Sequence, residues 1–385
     1  MKPKKQKSLE GNTIFHIAEH YIAEHYDFRL NEIKLDIECS PKGGNTFSVA
    51  NEHSLYIELQ KKGIAISVEK LVALLRSSFV PRYNPFAEYF STLPKWVEER
   101  DEDCIGRLAA YVSAIHQEEF AYHFRKWLVR AVKCALVPGY VNKQALILVH
   151  NQQNSGKSTF CRFLCPSALS DYIAEDFVGG DKDSRILLGR NLLINLDELA
   201  SLSKRDVNSL KSNFSKTFVN DRLPYDRRNS VMKRVCSFIG STNMDEFLND
   251  ETGSVRWLCF RISSIKWAYK AEIDINKVWA QAYALSKSTS FQADLSPEDI
   301  FRNEERNREF QIQTIEKTLI NRYLKKPDEN KEAEFLSATE IAIYLHARSA
   351  YKVKPVVVGR TLCSLGFARL AQGDRYGYSV IKNEE

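Results

Sequence analysis

The sequence predicts an α/β protein with a central three-layer domain around a parallel sheet, a small α+β domain before it and a winged-helix-like domain after it. Three patterns lead to this prediction: apolar runs alternating with helical segments in mid-chain, short alternating stretches near the amino terminus, and a helix–helix–hairpin pattern at the end. A chain of 385 residues is also too long to fold around one small hydrophobic core, so more than one domain is expected. The predicted units are a basic disordered tail (1–10), the α+β domain (11–100), the central domain (101–275), a helical connector (276–329) and the winged-helix-like domain (330–385).

Composition and charge are those of a soluble globular protein, with 44% hydrophobic and 27% charged residues. The formal net charge of +6 permits a polyanionic partner without requiring one. No apolar run approaches the roughly 20 residues that cross a bilayer, and no apolar signal core follows the basic start, so we expect neither membrane association nor secretion. The 8 cysteines are scattered without a C-x-x-C pair, which indicates a reducing, cytoplasmic environment.

The α+β domain is predicted from local patterns. The stretch "HIAEHYIAEHY" (16–26) matches the H-x-x-E-H metal pattern, but nothing later in the chain supplies an obvious third ligand. We interpret it as a local five-residue duplication. The alternating stretches "FRLNEIKLDIE" (28–38) and "SLYIELQ" (54–60) are predicted to be strands.

Apolar runs of the central domain follow a helical segment, "FAYHFRKWLVRAVKCAL" (120–136). Such runs between helices are typical of buried strands in a parallel sheet. The predicted strands are "ALILVH" (145–150), "NLLINLDE" (191–198), "RVCSFIGSTN" (234–243) and "RWLCFRI" (256–262).

The loop after the first of these strands, "HNQQNSGKSTF" (150–160), resembles the Walker A pattern G-x-x-x-x-G-K-[ST]. In that pattern backbone N–H groups point at nucleotide phosphates, the lysine reaches the terminal phosphates, and the hydroxyl binds Mg²⁺. Asn151 replaces the first glycine, and we expect it to adopt the positive φ of that turn, because asparagine tolerates it best. The residues predicted to hold ATP are Asn151, Asn154, Ser155, Gly156, Lys157, Ser158 and Thr159.

The second strand ends in an acidic pair, Asp197 and Glu198. We expect Asp197, together with Ser158, to hold Mg²⁺, and Glu198 to polarise the attacking water, which would give hydrolysis. Asn243, at the end of the next strand, is placed to sense the γ-phosphate or orient water. Arg256 is a candidate arginine finger that completes a neighbouring subunit's site.

A basic stretch lies between the acidic strand and the sensor strand, in "KSNFSKTFVNDRLPYDRRNSVMKR" (211–234). Guanidinium groups bind phosphates, and an aromatic side chain stacks on bases without sequence preference. The alternative is that these arginines pair with carboxylates across a subunit interface. The predicted DNA-binding residues of this stretch are Arg222, Tyr225, Arg227 and Arg228, and Lys233 and Arg234 extend its charge.

The end of the chain predicts a first helix opened by a capping box of Ser337 and Glu340, and a second with Pro355 in its opening turn. A hairpin follows, with "GD" at its turn. This pattern is typical of winged helices, which read duplex DNA with their second helix but also bind proteins. Lys354 and Arg360 are the predicted DNA contacts.

Together these motifs resemble the virulence-associated protein E family, superfamily III helicase-like members of the AAA+ ATPases found on phages and integrated elements. The resemblance covers roughly residues 80–265, including "YNPFAEYFSTLPKW" (83–96), "RLPYDRR" (222–228) and "FLNDETGSVRWLCFRI" (247–262). It implies ATP and Mg²⁺ as ligands, a hexameric ring in which Arg256 acts in trans, and a bacterial cytoplasmic location. Related proteins often carry a primase domain ahead of the ATPase, so a separate primase is an expected partner.

Two functions remain open at this point. One is a DNA-stimulated, ATP-hydrolysing helicase or translocase that acts on single-stranded or forked DNA during replication of a mobile element. The alternative is an ATP-gated DNA-binding or interaction switch, regulating replication or interfering with a phage, without unwinding.

Overall fold

The structure, a computed structural model, is a mixed α/β fold with several sheets. It describes residues 13–175, 177, 181–197, 199, 210–221, 230–248, 254–312, 314–327 and 333–383. The basic tail predicted for residues 1–10 lies outside this set. No helix in the described ranges is long and apolar enough to cross a membrane.

The amino-terminal part packs three helices on a small sheet of strand order β3-β2-β1-β4, in which only the β1–β4 pair is parallel. Its core is a separate hydrophobic cluster that includes Ala18, Leu59 and Leu71. The elements are α1 (Ile14–His25), β1 (Tyr26–Asn31), β2 (Ile37–Pro41), β3 (Ser48–Val49), α2 (Glu52–Lys61), α3 (Val68–Leu75) and β4 (Arg82–Tyr83).

The strand predicted at residues 54–60 is wrong, because this stretch lies inside α2. Leu55 and Leu59, four residues apart, are buried on one side of the helix, whereas Ile57 between them is 51% exposed. Apolar residues at i and i+4 fit one helix face as well as they fit alternate positions of a strand. The Asn51 side chain accepts a hydrogen bond from the backbone N–H of Ser54 and fixes the start of the helix.

The middle of the chain forms a six-stranded sheet of order β5-β12-β6-β11-β8-β7. All neighbouring strands are parallel except β5, which pairs antiparallel to β12. A two-stranded ribbon of β9 and β10 stands beside it. The elements are α4 (Pro85–Thr92), α5 (Cys104–Ala109), β5 (Val112–Ala114), α6 (Gln117–Leu136), β6 (Ala145–Val149), α7 (Lys157–Phe163), β7 (Ile173–Ala174), α8 (Lys182–Arg190), β8 (Leu193–Leu196), β9 (Phe218–Asp221), β10 (Ser230–Lys233), β11 (Ser237–Thr242), β12 (Trp257–Ile265), α9 (Tyr269–Glu272), α10 (Ile275–Lys287) and α11 (Pro297–Asn307).

The four predicted central strands are confirmed as β6, β8, β11 and β12, and the predicted helix at 120–136 as part of α6. Every residue of β6 is buried, because both faces of the sheet are covered. Leu146 and Leu148 face one hydrophobic cluster, to which α6 and α10 contribute. Ala145, Ile147 and Val149 face a second cluster, with residues of α8. The parallel arrangement brings the carboxyl ends of β6, β8, β11 and β12 to one edge of the sheet.

The carboxyl-terminal part has its own hydrophobic cluster, which includes Leu345, Val358 and Val380. Ser337 and Glu340 form the predicted capping box, Pro355 opens the second helix, and Gly373 lies at the hairpin turn with φ of 60°. Strand β16 pairs antiparallel with β13, β14 and β15. The elements are α12 (Ile315–Tyr323), β13 (Leu324–Lys325), β14 (Glu334–Leu336), α13 (Ala338–His346), α14 (Pro355–Ser364), β15 (Arg369–Gln372) and β16 (Arg375–Lys382).

Candidate functional site

The loop between β6 and α7 lies at the carboxyl edge of the central sheet. The chain turns there through two residues with positive φ, Asn154 at 58° and Gly156 at 88°, and Gly156 is the N-cap of α7. Asn151 is not among the described residues with positive φ, so the expectation that it replaces the first Walker glycine in that conformation is wrong. The left-handed turn falls three residues later, again at an asparagine, which tolerates this conformation better than most residues.

Gly156 is constrained by its surroundings as well as by its φ. A Cβ atom at this position would lie 3.0 Å from Cζ2 of Trp267, whose ring packs against the loop from beyond the end of β12. Any side chain here would combine an unfavourable backbone conformation with a tight contact to the indole. The positive φ and this close approach together favour glycine at the first position of the G-K-S triplet.

Lys157 is only 5% exposed, and its ammonium group is turned back into the loop. Nζ donates to the carbonyl oxygens of His150 and Gln152, each at 3.0 Å, and to Oγ of Ser155 at 2.9 Å. Burial lowers the pKa of Lys157, and the negative charge of Asp197 opposes that shift. Two backbone carbonyls thus accept hydrogen bonds from the ammonium at the centre of the loop, and the oxygens of a bound anion would compete with them.

Ser158 and Asp197 are brought together although they are far apart in the sequence. Ser158 Oγ donates to Asp197 Oδ1 at 2.8 Å, and Ser241 Oγ donates to the same oxygen at 2.8 Å. The two hydroxyl oxygens are 3.2 Å apart. A serine hydroxyl at the start of α7 and a carboxylate at the end of β8 are hard oxygen donors, the kind that Mg²⁺ prefers. The predicted metal pair fits that ion.

Arg162, one turn further along α7, was missed by the sequence reasoning. Its guanidinium pairs with both carboxylate oxygens of Glu175, and a terminal nitrogen lies 3.7 Å from Asp197 Oδ2. Its side chain is 49% exposed and borders the same space as Lys157. No motif marks this arginine in the sequence. Its position five residues after the lysine on α7 was the available signal.

These groups surround a cavity of about 340 Å³. That volume is at the lower end of the range for small-molecule sites, about 300–1,000 Å³. Asn151 is not one of its lining residues within the described part of the chain. The predicted residues that line it are Asn154, Ser155, Gly156, Lys157, Ser158, Thr159, Asp197 and Asn243. Six adjacent loop and helix positions therefore meet two strand ends around one cavity.

Two further predicted catalytic residues are Glu198 and Arg256. Glu198 lies outside the described residues. Arg256 precedes β12 at the amino-terminal edge of the sheet, since Trp257 pairs with Ala145 at the start of β6. The loop is at the other end of β6, roughly 13 Å away at about 3.3 Å per residue. Arg256 is half-buried, with Nε 3.5 Å from Ser215 Oγ, and lies away from its own chain's cavity.

The predicted DNA-binding residues Arg222, Tyr225, Arg227 and Arg228 lie outside the described residues. They fall in the segment that connects β9 to β10. Arg234, which seemed from the sequence to extend this basic stretch, is 2% exposed. Its guanidinium donates to the backbone carbonyls of Asn142, Asn213 and Phe214. Arg234 is therefore a core residue that joins the end of the ribbon to residues 213–214 and to Asn142 before β6, and its interpretation as part of a DNA-binding surface is wrong.

Lys354 and Arg360 both lie on the second helix of the carboxyl-terminal part. Lys354 is the N-cap of α14, Arg360 follows near its middle, and both side chains are exposed. Val356 is 67% exposed on the same helix. Arg375, across the hairpin, pairs with Glu340 at 2.8 Å. The helix thus presents two cations to solvent.

The family model of the virulence-associated protein E-like domain matches residues 93–312, more than half of the chain. The chain belongs to this family. Among curated protein sequences nothing matches significantly. The match includes the loop at residues 150–160, β8 with Asp197 after it, Asn243 and Arg256. In this virulence-associated protein E-like domain the loop, Asp197 and Asn243 lie at the carboxyl edge of the central sheet, whereas Arg256 lies at its amino-terminal edge.

Two solved structures share the fold of this virulence-associated protein E-like chain. The apo structure of the NrS-1 C-terminal region (305–718) has a TM-score of 0.52 at 12% identity, covering 97% of this chain and 100% of that chain. The A form apo structure of the same region has a TM-score of 0.51 at 11% identity, covering 96% of this chain and 100% of that chain. At these identities the likeness concerns the fold.

Proposed function

We propose that this protein is a P-loop ATPase that hydrolyses ATP with Mg²⁺. The observation that carries the proposal is the 2.8 Å hydrogen bond from Ser158 Oγ to Asp197 Oδ1, beside Lys157 and around a cavity of about 340 Å³. Strand β11 lies between the strands that bear the loop and the acid, and Asn243 just after its end lines the same cavity. A phosphate-gripping cation, two metal ligands and a polar sensor in one cavity are what phosphoryl transfer needs.

Each residue of the cavity would have its own role in ATP hydrolysis. Ser158 and Asp197 would hold Mg²⁺, which would supply positive charge beside the phosphate oxygens. Lys157 would exchange its loop carbonyl acceptors for phosphate oxygens, while backbone N–H groups of residues 154–159 cradle the phosphates. Glu198 would accept the proton of the attacking water, and Asn243 would orient that water.

Arg256 is proposed to act in the site of a neighbouring subunit. Its place at the amino-terminal edge of the sheet, away from its own cavity, supports a role across an interface. A guanidinium supplied in this way stabilises charge that develops in the transition state. We infer a homo-oligomeric ring, a hexamer by resemblance, and slow hydrolysis by an isolated protomer.

The ATPase is proposed to drive a helicase or translocase on single-stranded or forked DNA, in replication of a phage or integrated mobile element in the bacterial cytoplasm. Family membership supports this assignment. The basic segment between β9 and β10 would track the strand through Arg222, Arg227 and Arg228, with Tyr225 stacking on bases. A winged-helix assignment of the carboxyl-terminal part, with Lys354 and Arg360 on phosphates, would add duplex contacts, and a separate primase would be a partner.

ATP hydrolysis measured with and without single-stranded DNA tests the proposal. Wild-type protein should hydrolyse Mg-ATP faster when DNA is present, and Lys157→Ala or Glu198→Gln should lower the rate by at least about 100-fold. Arg256→Ala should do so even in assembled rings. A wild-type rate that DNA leaves unchanged would contradict the translocase, and a Lys157→Ala rate equal to wild type would contradict the ATPase.

One observation favours the alternative, an ATP-gated switch. The ammonium of Lys157 is already bound by three loop oxygens, so nucleotide binding requires it to exchange these acceptors for phosphate oxygens. A protein whose main response to ATP is such an exchange could bind DNA or a partner in a nucleotide-dependent way without unwinding. Strand displacement on a forked duplex separates the two functions, because only the helicase releases the displaced strand.

A further inference from the structure

The ring of Trp267 stands beside the loop on the side opposite the catalytic groups. In the sheet, β11 and β8 lie on one side of β6 and carry Asn243 and Asp197, whereas β12 lies on the other side. Strand β12 continues past the last residue of β6 that it pairs with, and the imidazole Nε2 of His150 is 3.1 Å from the backbone oxygen of Ser263. This extension lies beside His150 at the start of the loop, and Trp267 is two residues beyond its last residue, Ile265.

Trp267 is half exposed, which is unusual for a tryptophan in this chain. Its exposed fraction is 50%, whereas Trp127, Trp257 and Trp279 are at most 1% exposed. The six-membered part of the ring borders Gly156, where an added Cβ would lie 3.0 Å from Cζ2, and the ammonium of Lys270 lies over the ring, 4.7 Å from its centroid. An indole that is half exposed beside a polar cavity offers an aromatic contact to a ligand bound there.

The segment that carries Trp267 is fixed to the helix that carries Lys157 and Ser158. Tyr269, two residues later, is fully buried, and its ring centroid lies 5.4 Å from that of Phe160 and 4.8 Å from that of Phe163. Both phenylalanines belong to α7. The indole is therefore held at a set distance from the phosphate loop, as a preorganised contact needs to be.

We propose that Trp267 is the nucleobase platform of the site. If the terminal phosphates of a nucleotide bind Lys157, Ser158 and Mg²⁺ on the Asp197 side, its base extends out of the cavity in another direction. The indole of Trp267, after the end of β12, offers an aromatic surface beside Gly156. Stacking on indole accepts any base and favours the larger purines. This inference rests on the proposed function, because it assigns the nucleoside end of the same ligand.

Calorimetric binding of Mg-ATP and of Mg-tripolyphosphate tests the proposal, because tripolyphosphate has the phosphates without a base. Trp267→Ala should weaken ATP binding by about tenfold or more and leave tripolyphosphate binding within about twofold of wild type. Trp267→Phe, which keeps an aromatic face, should retain most of the ATP affinity. Equal weakening of both ligands would show that the ring only supports the loop and would overturn the platform, as would an unchanged ATP affinity in Trp267→Ala.

Intrinsic fluorescence provides a second readout and distinguishes failure of the Trp267 platform from failure of the proposed ATPase function. ATP, but not tripolyphosphate, should quench the tryptophan emission of the wild type. The control variant Trp96→Phe, which removes a half-buried indole whose Nε1 donates to the Glu102 carbonyl at 2.9 Å, should show the same quench. The quench should be lost in Trp267→Phe. Persistence of the quench in Trp267→Phe would overturn the platform alone. A wild-type protein that binds neither ligand would overturn the proposed function as well.

Discussion

Ser158 and Ser241 offer a matched pair of substitutions, because both hydroxyls donate to Oδ1 of Asp197 at the same distance, 2.8 Å. Replacing either serine with alanine removes one hydrogen bond to the same carboxylate oxygen. Only Ser158 stands at the first turn of α7, next to Lys157, where the hydroxyl can also bind Mg²⁺. The two variants should therefore cost similar stability and very different activity.

The stability cost follows from the contacts. A hydrogen bond to a charged group contributes about 1.5–3 kcal/mol, but the Asp197 side chain is 31% exposed and keeps its other serine donor in each variant. We therefore expect a loss of about 1 kcal/mol in the free energy of unfolding for either substitution. In a domain of this size that lowers Tm by about 2–4 °C.

The activity cost should separate the pair. Ser158→Ala should lower Mg-dependent ATP hydrolysis by about 100-fold or more, the scale at which loss of one transition-state contact is felt. Ser241→Ala should lower it by less than about tenfold, since its hydroxyl only orients the carboxylate. Thermal melting and steady-state hydrolysis at several Mg²⁺ concentrations measure both quantities. Equal activity losses, or a Ser158→Ala protein that keeps its Mg²⁺ dependence, would refute the assignment of Ser158 as a metal ligand.

Two further predictions concern stability. Burial, assisted by the positive charge of Arg306, lowers the pKa of His123 from 6.5 to about 3. Because the unfolded state then binds the proton more readily than the folded state, the free energy of unfolding should fall as the pH drops below 6.5, by about 2 kcal/mol at pH 5. His123→Phe should remove that loss in urea titrations at pH 5 and pH 7, and an unchanged difference between the two pH values would contradict it. Arg234→Met leaves three buried carbonyls without their donor and should cost about 3 kcal/mol or more of stability. A variant that melts like wild type but loses DNA affinity in filter binding would show that Arg234 serves DNA and not the core.

The central sheet was predictable because its strands are uninterrupted apolar runs that end in polar residues. Each run, such as residues 145–149, is too short for a buried helix and is followed by a helix or turn signal. The prediction failed at residues 54–60, where leucines spaced four apart satisfy a strand and a helix equally. The cap at Asn51 and packing against α3 decide between them, and the spacing of the leucines contains neither.

The sequence predicted the site residues that belong to one local motif. It did not predict the residues that only the fold brings close to that motif. The triplet Gly156-Lys157-Ser158 and the acid Asp197 follow from local patterns. The conformation of the loop does not, since the positive φ falls at Asn154 and not at Asn151. Trp267 and Arg162 belong to no motif, and their proximity to the loop depends on strand order and on the direction of α7.

The same limit applies to charge. Arg234 lies in a run of basic residues, and by composition it is indistinguishable from a DNA contact. Its burial under the carbonyls of Asn142 and Asn213 depends on where the ribbon of β9 and β10 meets the sheet. Net charge in a segment indicates a class of partner, whereas the structure decides which cations can reach one.

Calorimetric titration with a non-hydrolysable ATP analogue tests the central claim most directly, since it measures nucleotide binding without requiring DNA, a ring or turnover. The account predicts saturable binding of one nucleotide per chain in the presence of Mg²⁺, weakened by chelation of the metal and abolished by Lys157→Ala. Absence of binding to the wild-type chain, or equal binding to Lys157→Ala, would contradict the assignment of residues 150–159 as a phosphate loop.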